Sequence, residues 1–338
     1  MEWGTVPVSK SSQHYLEVKG SHTRLSPALE YKAVYLGTVL PYESASECID
    51  KVLEVRLSDS TIYRLTDKRG KKALENIEMD KDWKKEQYNE TEPEERIYSQ
   101  IDGAMIQIRE EGWKEVKLGR TFKATDIVNS GQSQRITESI YTAKLGNKDS
   151  FQENLGKVLP NKVDQNNELV FTTDGAVWIR QMIQEMYPKA VSILDIFHLI
   201  EHLAKYIDMN YKKAYKIVKM ERYKELLLVK GGQALIKEIQ NSRTKSKQGW
   251  IEKVNLLKYL EANKERINYP DYIKENYYIG SGAIESAHLH VIQSRMKKAG
   301  QIWSRQGAEK MIALRVVFKN EMFNSLFDFQ QALIKSIA

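Results

Sequence analysis

The chain has 338 residues and a mass of 39.2 kDa; it is 41% hydrophobic and 29% charged, with a mean hydropathy of −0.54. No window approaches the ~18–20 consecutive apolar residues that a membrane span needs, and no charged-then-apolar leader opens the sequence, so the expectation is a soluble, non-secreted protein without a membrane partner. The single cysteine, Cys48, excludes an intramolecular disulfide framework and a cysteine-rich zinc finger, while 52 Lys+Arg against 45 Asp+Glu give a net +7 that permits a nucleic-acid partner.

Helical spacing dominates the first segment. Leu29, Ala33, Leu36 and Leu40 recur on one face, and after Pro41 the residues Ala45, Ile49, Val52 and Leu53 repeat the pattern. Ser58 or Asp59 offers an N-cap for a third helix with Ile62, Leu65, Ala73 and Ile77. That helix carries Arg64, Lys68, Arg69, Lys71 and Lys72. Two short helices, a tight turn and a basic third helix resemble an all-α helix-turn-helix domain in residues 1–78, with Arg64, Lys68 and Arg69 as DNA contacts. A plain helical bundle with a solvated basic face fits the same pattern.

Residues 79–96 read as an acidic connector: from Glu75 to Arg96 there are nine acids against four bases, with Pro93 among them. Beyond it the period changes. The stretches IYSQIDGAMI, KEVKLGRTF and ITESIYTAKL read as strands, SFQENLGKVL as a helix, and ELVFTT, AVWIRQMIQEMY and AVSILD as strand, helix and strand. The expected fold class is α/β, a mixed sheet over residues 97–204 completed by residues 277–338. Residues 205–276 interrupt it with a basic helical insertion. From Lys205 to Arg266 sixteen bases face seven acids, an excess larger than the net charge of the whole chain. Lys212, Lys213, Lys216 and Lys219, beside Tyr211, Tyr215 and Tyr223, form a candidate phosphate-tracking stripe; an amphipathic helix with its tyrosines in a core is the plainer account.

Three carboxylates stand out. Asp102 and Asp174 each end an apolar strand and precede a glycine, and Glu285 falls in the first turn of a helix expected from about Ala283 to Lys298, with Ser281 as its cap. Strand-end carboxylates facing a helix-borne Glu make an oxygen-rich cluster suited to Mg²⁺ and to two-metal phosphodiester chemistry, in which the ions stand about 3.5–4 Å apart. Taken singly, each is more simply a turn or a capping residue. Farther along the Glu285 helix lie His288, His290, Arg295, Lys297 and Lys298, the last three candidate phosphate contacts, and then Trp303, for which core packing outweighs base stacking.

The blocks IDGAMIQIREEGWKEVKLGRTF, TTDGAVWIRQMIQEMYPKAVSILDIFHLIEHL and YIGSGAIESAHLHVIQSRMKKAGQIWS resemble bacterial insertion-sequence transposases of the Kra type, relatives of the Mutator-like DDE transposases. The likeness extends over roughly Leu25 to Val317. It implies an RNase H-like catalytic domain with Asp102, Asp174 and Glu285 as the metal-binding catalytic residues, separated by 72 and 111 residues. The family's D-x-x-H element falls on Asp195 and His198, which would support the site. The resemblance further implies two Mg²⁺ ions replaceable by Mn²⁺, and double-stranded DNA as partner: the terminal inverted repeats and a target. It also implies a homo-oligomer on paired ends and a bacterial cytoplasmic, nucleoid-associated location. Gly103 and Gly175 would let the backbone approach the scissile phosphate. His202, one turn beyond His198, invites a zinc pair that lacks further ligands. A catalytically silent, transposase-derived DNA-binding protein is one alternative, for which polar Gln100 in the first strand speaks; an RNase H-like nuclease outside transposition is the other.

Overall fold

The computed structural model describes residues 25–79, 95–130, 133–159, 168–280 and 282–327. Most of the acidic connector and the expected cap Ser281 therefore lie outside the described residues. Helices α1 (Pro27–Val39), α2 (Tyr42–Leu53) and α3 (Asp59–Glu78) come first. Ser26 caps α1 by accepting from the Leu29 N–H at 3.3 Å, ahead of Pro27, and Ser58 caps α3 by accepting from the Thr61 N–H at 3.2 Å.

Strands β1 (Arg96–Ile108) and β2 (Gly112–Lys123) form an antiparallel hairpin, and the small pair β3 (Ile127–Ser130) and β4 (Ser133–Ile136) follows. The stretch ITESIYTAKL, expected as one strand, is divided: Ile136 ends β4, and β5 (Ile140–Leu145) joins the edge of β2. After α4 (Lys148–Val158), strand β6 (Glu168–Thr173), helix α5 (Val177–Met186) and strand β7 (Val191–Leu194) complete a five-stranded mixed sheet in the order β5-β2-β1-β6-β7. Only the β1-β6-β7 half is parallel. The expected α/β class and mixed sheet are present.

Alternate residues of the central strands feed two cores. Ile97, Ile101, Leu169 and Phe171 join one, Tyr98, Val170 and Ile193 the other. The second core is closed by α6 (Ile196–Asn210), α7 (Lys213–Lys230), α8 (Gly232–Asn241), α9 (Lys247–Ala262) and α10 (Tyr269–Lys274), through Tyr206, Leu227, Ile236 and Leu260. The basic tract is thus a helical body packed on one face of the sheet. Of its tyrosines, Tyr223 is buried against Tyr211, whereas Tyr215 is exposed.

The chain then passes through α11 (Gly282–Ala287), a π-helical segment His288–Gln293, a closing turn Ser294–Met296, and α12 (Arg305–Lys319). Helices α1–α3 do not build a core of their own. Val34, Ile49, Ile62 and Ala73 belong to the same cluster as Val116 of the sheet and Met311 and Leu314 of α12. Gly70 of α3 lies so close to the Lys310 backbone that a methyl group there would meet its carbonyl oxygen at 2.9 Å. The N-terminal helices are a wall of the main body.

Candidate functional site

Strand register gathers the acidic residues. Ile101 of β1 pairs with Thr173 of β6, and Thr173 with Leu194 of β7, so the next residue on each strand is an aspartate: Asp102, Asp174 and Asp195. Three adjacent parallel strands therefore present carboxylates at one level. Asp102 is not at a strand end as expected. Its strand runs on to Ile108 in the hairpin with β2, and only the pairing with β6 stops at Ile101.

Each carboxylate is held by backbone. Asp102 Oδ1 accepts from the Gly103 N–H at 2.7 Å, and Asp174 Oδ1 from the Ala176 N–H at 2.9 Å. Asp195, fully buried, caps α6 by accepting from the Phe197 and His198 N–H groups at 3.2 Å each. Burial raises the Asp174 carboxyl above the usual range, and the negative charge of Asp102 raises it further, while His198 and Arg266 pull it back.

Helix α11 and the π segment lie across this row. Donor atoms of Asp195, His198 and Glu285 come within 4.8 Å of one another, the one such trio among the described residues. One turn on from Glu285, His288 Nε2 stands 3.5 Å from Asp102 Oδ2. Burial lowers the His288 imidazole below its ordinary range against the pull of Asp102. The structure thus brings Asp102 beside Asp174, and Glu285 to Asp195 and His198. The trio that comes together around Glu285 is Asp195, His198 and Glu285, with Glu285 exposed. His198 lies between two acids, 3.8 Å from Asp195 and 3.5 Å from Glu201.

The arrangement fits a divalent cation. Four carboxylates and an imidazole offer hard oxygen and borderline nitrogen donors, and a cation would relieve the burial of charge at Asp174. Asp102 and Asp174 would form one part of the holding set, and Asp195, His198 and Glu285 the other.

Several supporting residues escaped the sequence reading. Arg266, buried, reaches from the insertion to the ends of β6 and β7, donating to Thr173 Oγ1 at 2.6 Å and to the carbonyls of Thr173, Asp174 and Ile193 at 3.2–3.3 Å. Nothing in the spacing distinguishes it from its surface neighbours Lys264 and Glu265. Gln100, buried, donates from Nε2 to the Gly280 carbonyl at 2.7 Å, which accounts for a polar residue inside β1. Tyr259 of α9 stacks on His202 with ring centroids 4.0 Å apart, so His202 packs against an aromatic ring. The glycines serve packing: a Cβ at Gly175 would strike the Tyr259 ring, and one at Gly103 the Glu115 carboxylate, which pairs with Lys117.

Among the expected DNA contacts, Arg64, Lys68, Lys212, Lys213, Lys297 and Lys298 are exposed. Lys216 is engaged by Asp208 at 2.8 Å. Two assignments are corrected. Arg69 is partly buried, donating to Glu30 at 2.7 and 2.9 Å and to the Leu326 carbonyl at 2.6 Å. Arg295 is 1% exposed, between the rings of Tyr42 and Trp303, and donates from Nε to the Gly37 carbonyl at 3.0 Å. Trp303 is itself buried, its Nε1–H on the Met296 carbonyl at 3.0 Å.

A family model matches residues 13–325, and the chain belongs to that family, UPF0236, described as an uncharacterised protein family. It is 23% identical over 310 residues to the UPF0236 protein in the vanSb 3' region of Streptococcus gallolyticus, a match covering 89% of this chain. The chain spans 65% of the length of that relative. No described helix is long and apolar enough to cross a membrane.

Proposed function

We propose that this protein is a DNA transposase, with an RNase H-like sheet whose carboxylates carry out metal-dependent cleavage and strand transfer. The observation that carries this reading is the row of Asp102, Asp174 and Asp195 at one level of three adjacent parallel strands, with Glu285 brought to its end by α11. An antiparallel hairpin followed by two parallel crossover strands supports the RNase H-like assignment.

Divalent cations bound there, Mg²⁺ or Mn²⁺, would supply activation of the attacking oxygen and stabilisation of the departing one. The chain's own residues do the rest. Backbone N–H groups fix the three aspartates, Arg266 braces the strand ends beneath Asp174, and His288 abuts Asp102. Exposed cations on α3, at the start of α7 and after the π segment suit a double-stranded DNA partner bound through its phosphates. In this reading α1–α3 form a helix-turn-helix that shares its core with the catalytic body.

The test uses the full chain, Mg²⁺ or Mn²⁺, and duplex DNA taken from either side of its coding sequence. Metal-dependent nicking and joining confined to element ends supports the proposal. Cutting without end preference points to a nuclease, and end binding without nicking to a binding protein; either result replaces it.

A further inference from the structure

Between Glu285 and its supporting body the helix widens. The Ser294 N–H reaches back five residues to the Leu289 carbonyl, a π-type bond, whereas the Lys297 N–H bonds four back to Gln293. A π turn accommodates one additional residue, which rotates everything on its N-terminal side by about 100° relative to an unbroken α-helix. The face that Glu285 and His288 present is therefore set by whether this wide turn persists.

One side chain holds the turn open. Arg315 of α12, 3% exposed, donates from Nε to the Val291 carbonyl at 2.9 Å and from one terminal nitrogen to the His290 carbonyl and to Ser294 Oγ at 3.2 Å. Its other terminal nitrogen donates to the Thr38 carbonyl at 3.2 Å, at the C-terminal end of α1. Beside it, Arg295 serves the neighbouring Gly37 carbonyl. A planar fork can meet all these acceptors at once; a lysine ammonium, a single point, cannot. The Val291 carbonyl, on a buried residue, takes its side-chain donor from Arg315, whereas the His290 carbonyl also accepts from the Ser294 hydroxyl at 3.3 Å.

We propose that Arg315 is a positioning residue for the carboxylate site: its guanidinium keeps the segment His288–Gln293 in the π form, and that form places Glu285 against Asp195 and His198 and places His288 against Asp102. The inference rests on the metal-binding reading above. It makes the end of the first helix part of the site's support, because Thr38 and the π turn share one guanidinium.

The test measures Mn²⁺ affinity by titration followed by electron paramagnetic resonance. It compares the full wild-type chain with Glu285→Gln, Arg315→Lys and a variant lacking Leu289, which removes one residue from the wide turn while leaving Arg315 intact. Melting temperature and circular dichroism are recorded for each. The expected result is a loss of about tenfold or more in Mn²⁺ affinity for Arg315→Lys and for the Leu289 deletion, matching Glu285→Gln, at temperatures where all are folded. A residue of merely structural importance would lower the melting temperature and leave Mn²⁺ affinity and line shape unchanged. Wild-type affinity in a folded Arg315→Lys or Leu289-deleted chain, with Glu285→Gln impaired, overturns this inference and leaves the proposed function standing. No Mn²⁺ binding by the wild type overturns both.

Discussion

The side-chain amide of Gln100 donates to the carbonyl of Gly280 at 2.7 Å, bonding the strand that carries Asp102 to the segment that delivers Glu285. The two residues are 180 apart in sequence. A glutamine inside a central strand is costly unless its amide finds a partner; here the partner is the entry to α11. Gln100 thus ties the strand of Asp102 to the entry of α11 through its Nε2, while its buried Oε1 accepts no hydrogen bond among the described residues.

Asp174 provides the pH-dependent test. Its carboxyl is raised, by burial first and by Asp102 second. A raised acid holds its proton more firmly in the folded than in the unfolded chain, so its stabilising contribution is complete below its ordinary value of 3.8 and is lost as pH rises through the raised value. At neutral pH the charged group therefore opposes folding. Asp174→Asn is expected to raise the melting temperature by roughly 2 °C at pH 7, with the gain vanishing in acid. Thermal scans at several pH values check it, and added Mn²⁺ should narrow the gap by stabilising the wild type.

Arg266 ties the insertion to the sheet. Arg266→Met removes donors from Thr173 and Ile193 in a buried setting, where hydrogen bonds from a charged group are each worth about 1.5–3 kcal/mol. A loss of about 3 kcal/mol in urea unfolding is expected. Arg222, whose pair with Glu238 is exposed, should cost under ~1 kcal/mol on the same substitution.

Gly175 and Tyr259 should behave as a coupled pair. Gly175→Ala forces a methyl group into the Tyr259 ring and is expected to destabilise by about 1–3 kcal/mol. In a Tyr259→Ala background the same change should cost much less, a coupling that a double-mutant cycle measures. Additive losses would mean that the ring does not limit Gly175.

The two kinds of basic residue separate by salt titration. Lys212→Gln with Lys213→Gln, both exposed, should lower the slope of log affinity against log salt for duplex DNA by about 1.8 while leaving the melting temperature unchanged. Arg69→Gln should do the reverse, because its guanidinium is engaged by Glu30 and the Leu326 carbonyl.

Much of this architecture is legible in the sequence, because it is written in local periodicity and caps. Ser58 opens α3, alternation marks β1 and β6, and Pro188 separates α5 from β7. Asp102, Asp174 and Glu285 could be named from their settings at strand ends and in a first helical turn, and Asp195 and His198 only from the family resemblance. How they group could not, since register decides it: pairing Ile101 with Thr173, and Thr173 with Leu194, makes Asp195 a full member of the row, and Glu285 comes to Asp195 and His198. The arginines were misjudged for a related reason. Arg69 and Arg295 look like surface cations in a sequence, and only tertiary contacts, of Arg69 with Glu30 and the Leu326 carbonyl and of Arg295 with the Gly37 carbonyl, take them off the surface. The π turn has no signature that helical spacing displays.

Joining of end-derived duplex DNA in Mg²⁺ or Mn²⁺, compared among the wild type, Asp102→Asn, Asp174→Asn and Glu285→Gln, tests the central claim most directly. The expected result is metal-dependent joining by the wild type and joining at background in all three variants, each still shifting the DNA in a gel. Joining by any variant at the wild-type rate would contradict its catalytic role, and joining by the wild type without divalent metal would contradict the account as a whole.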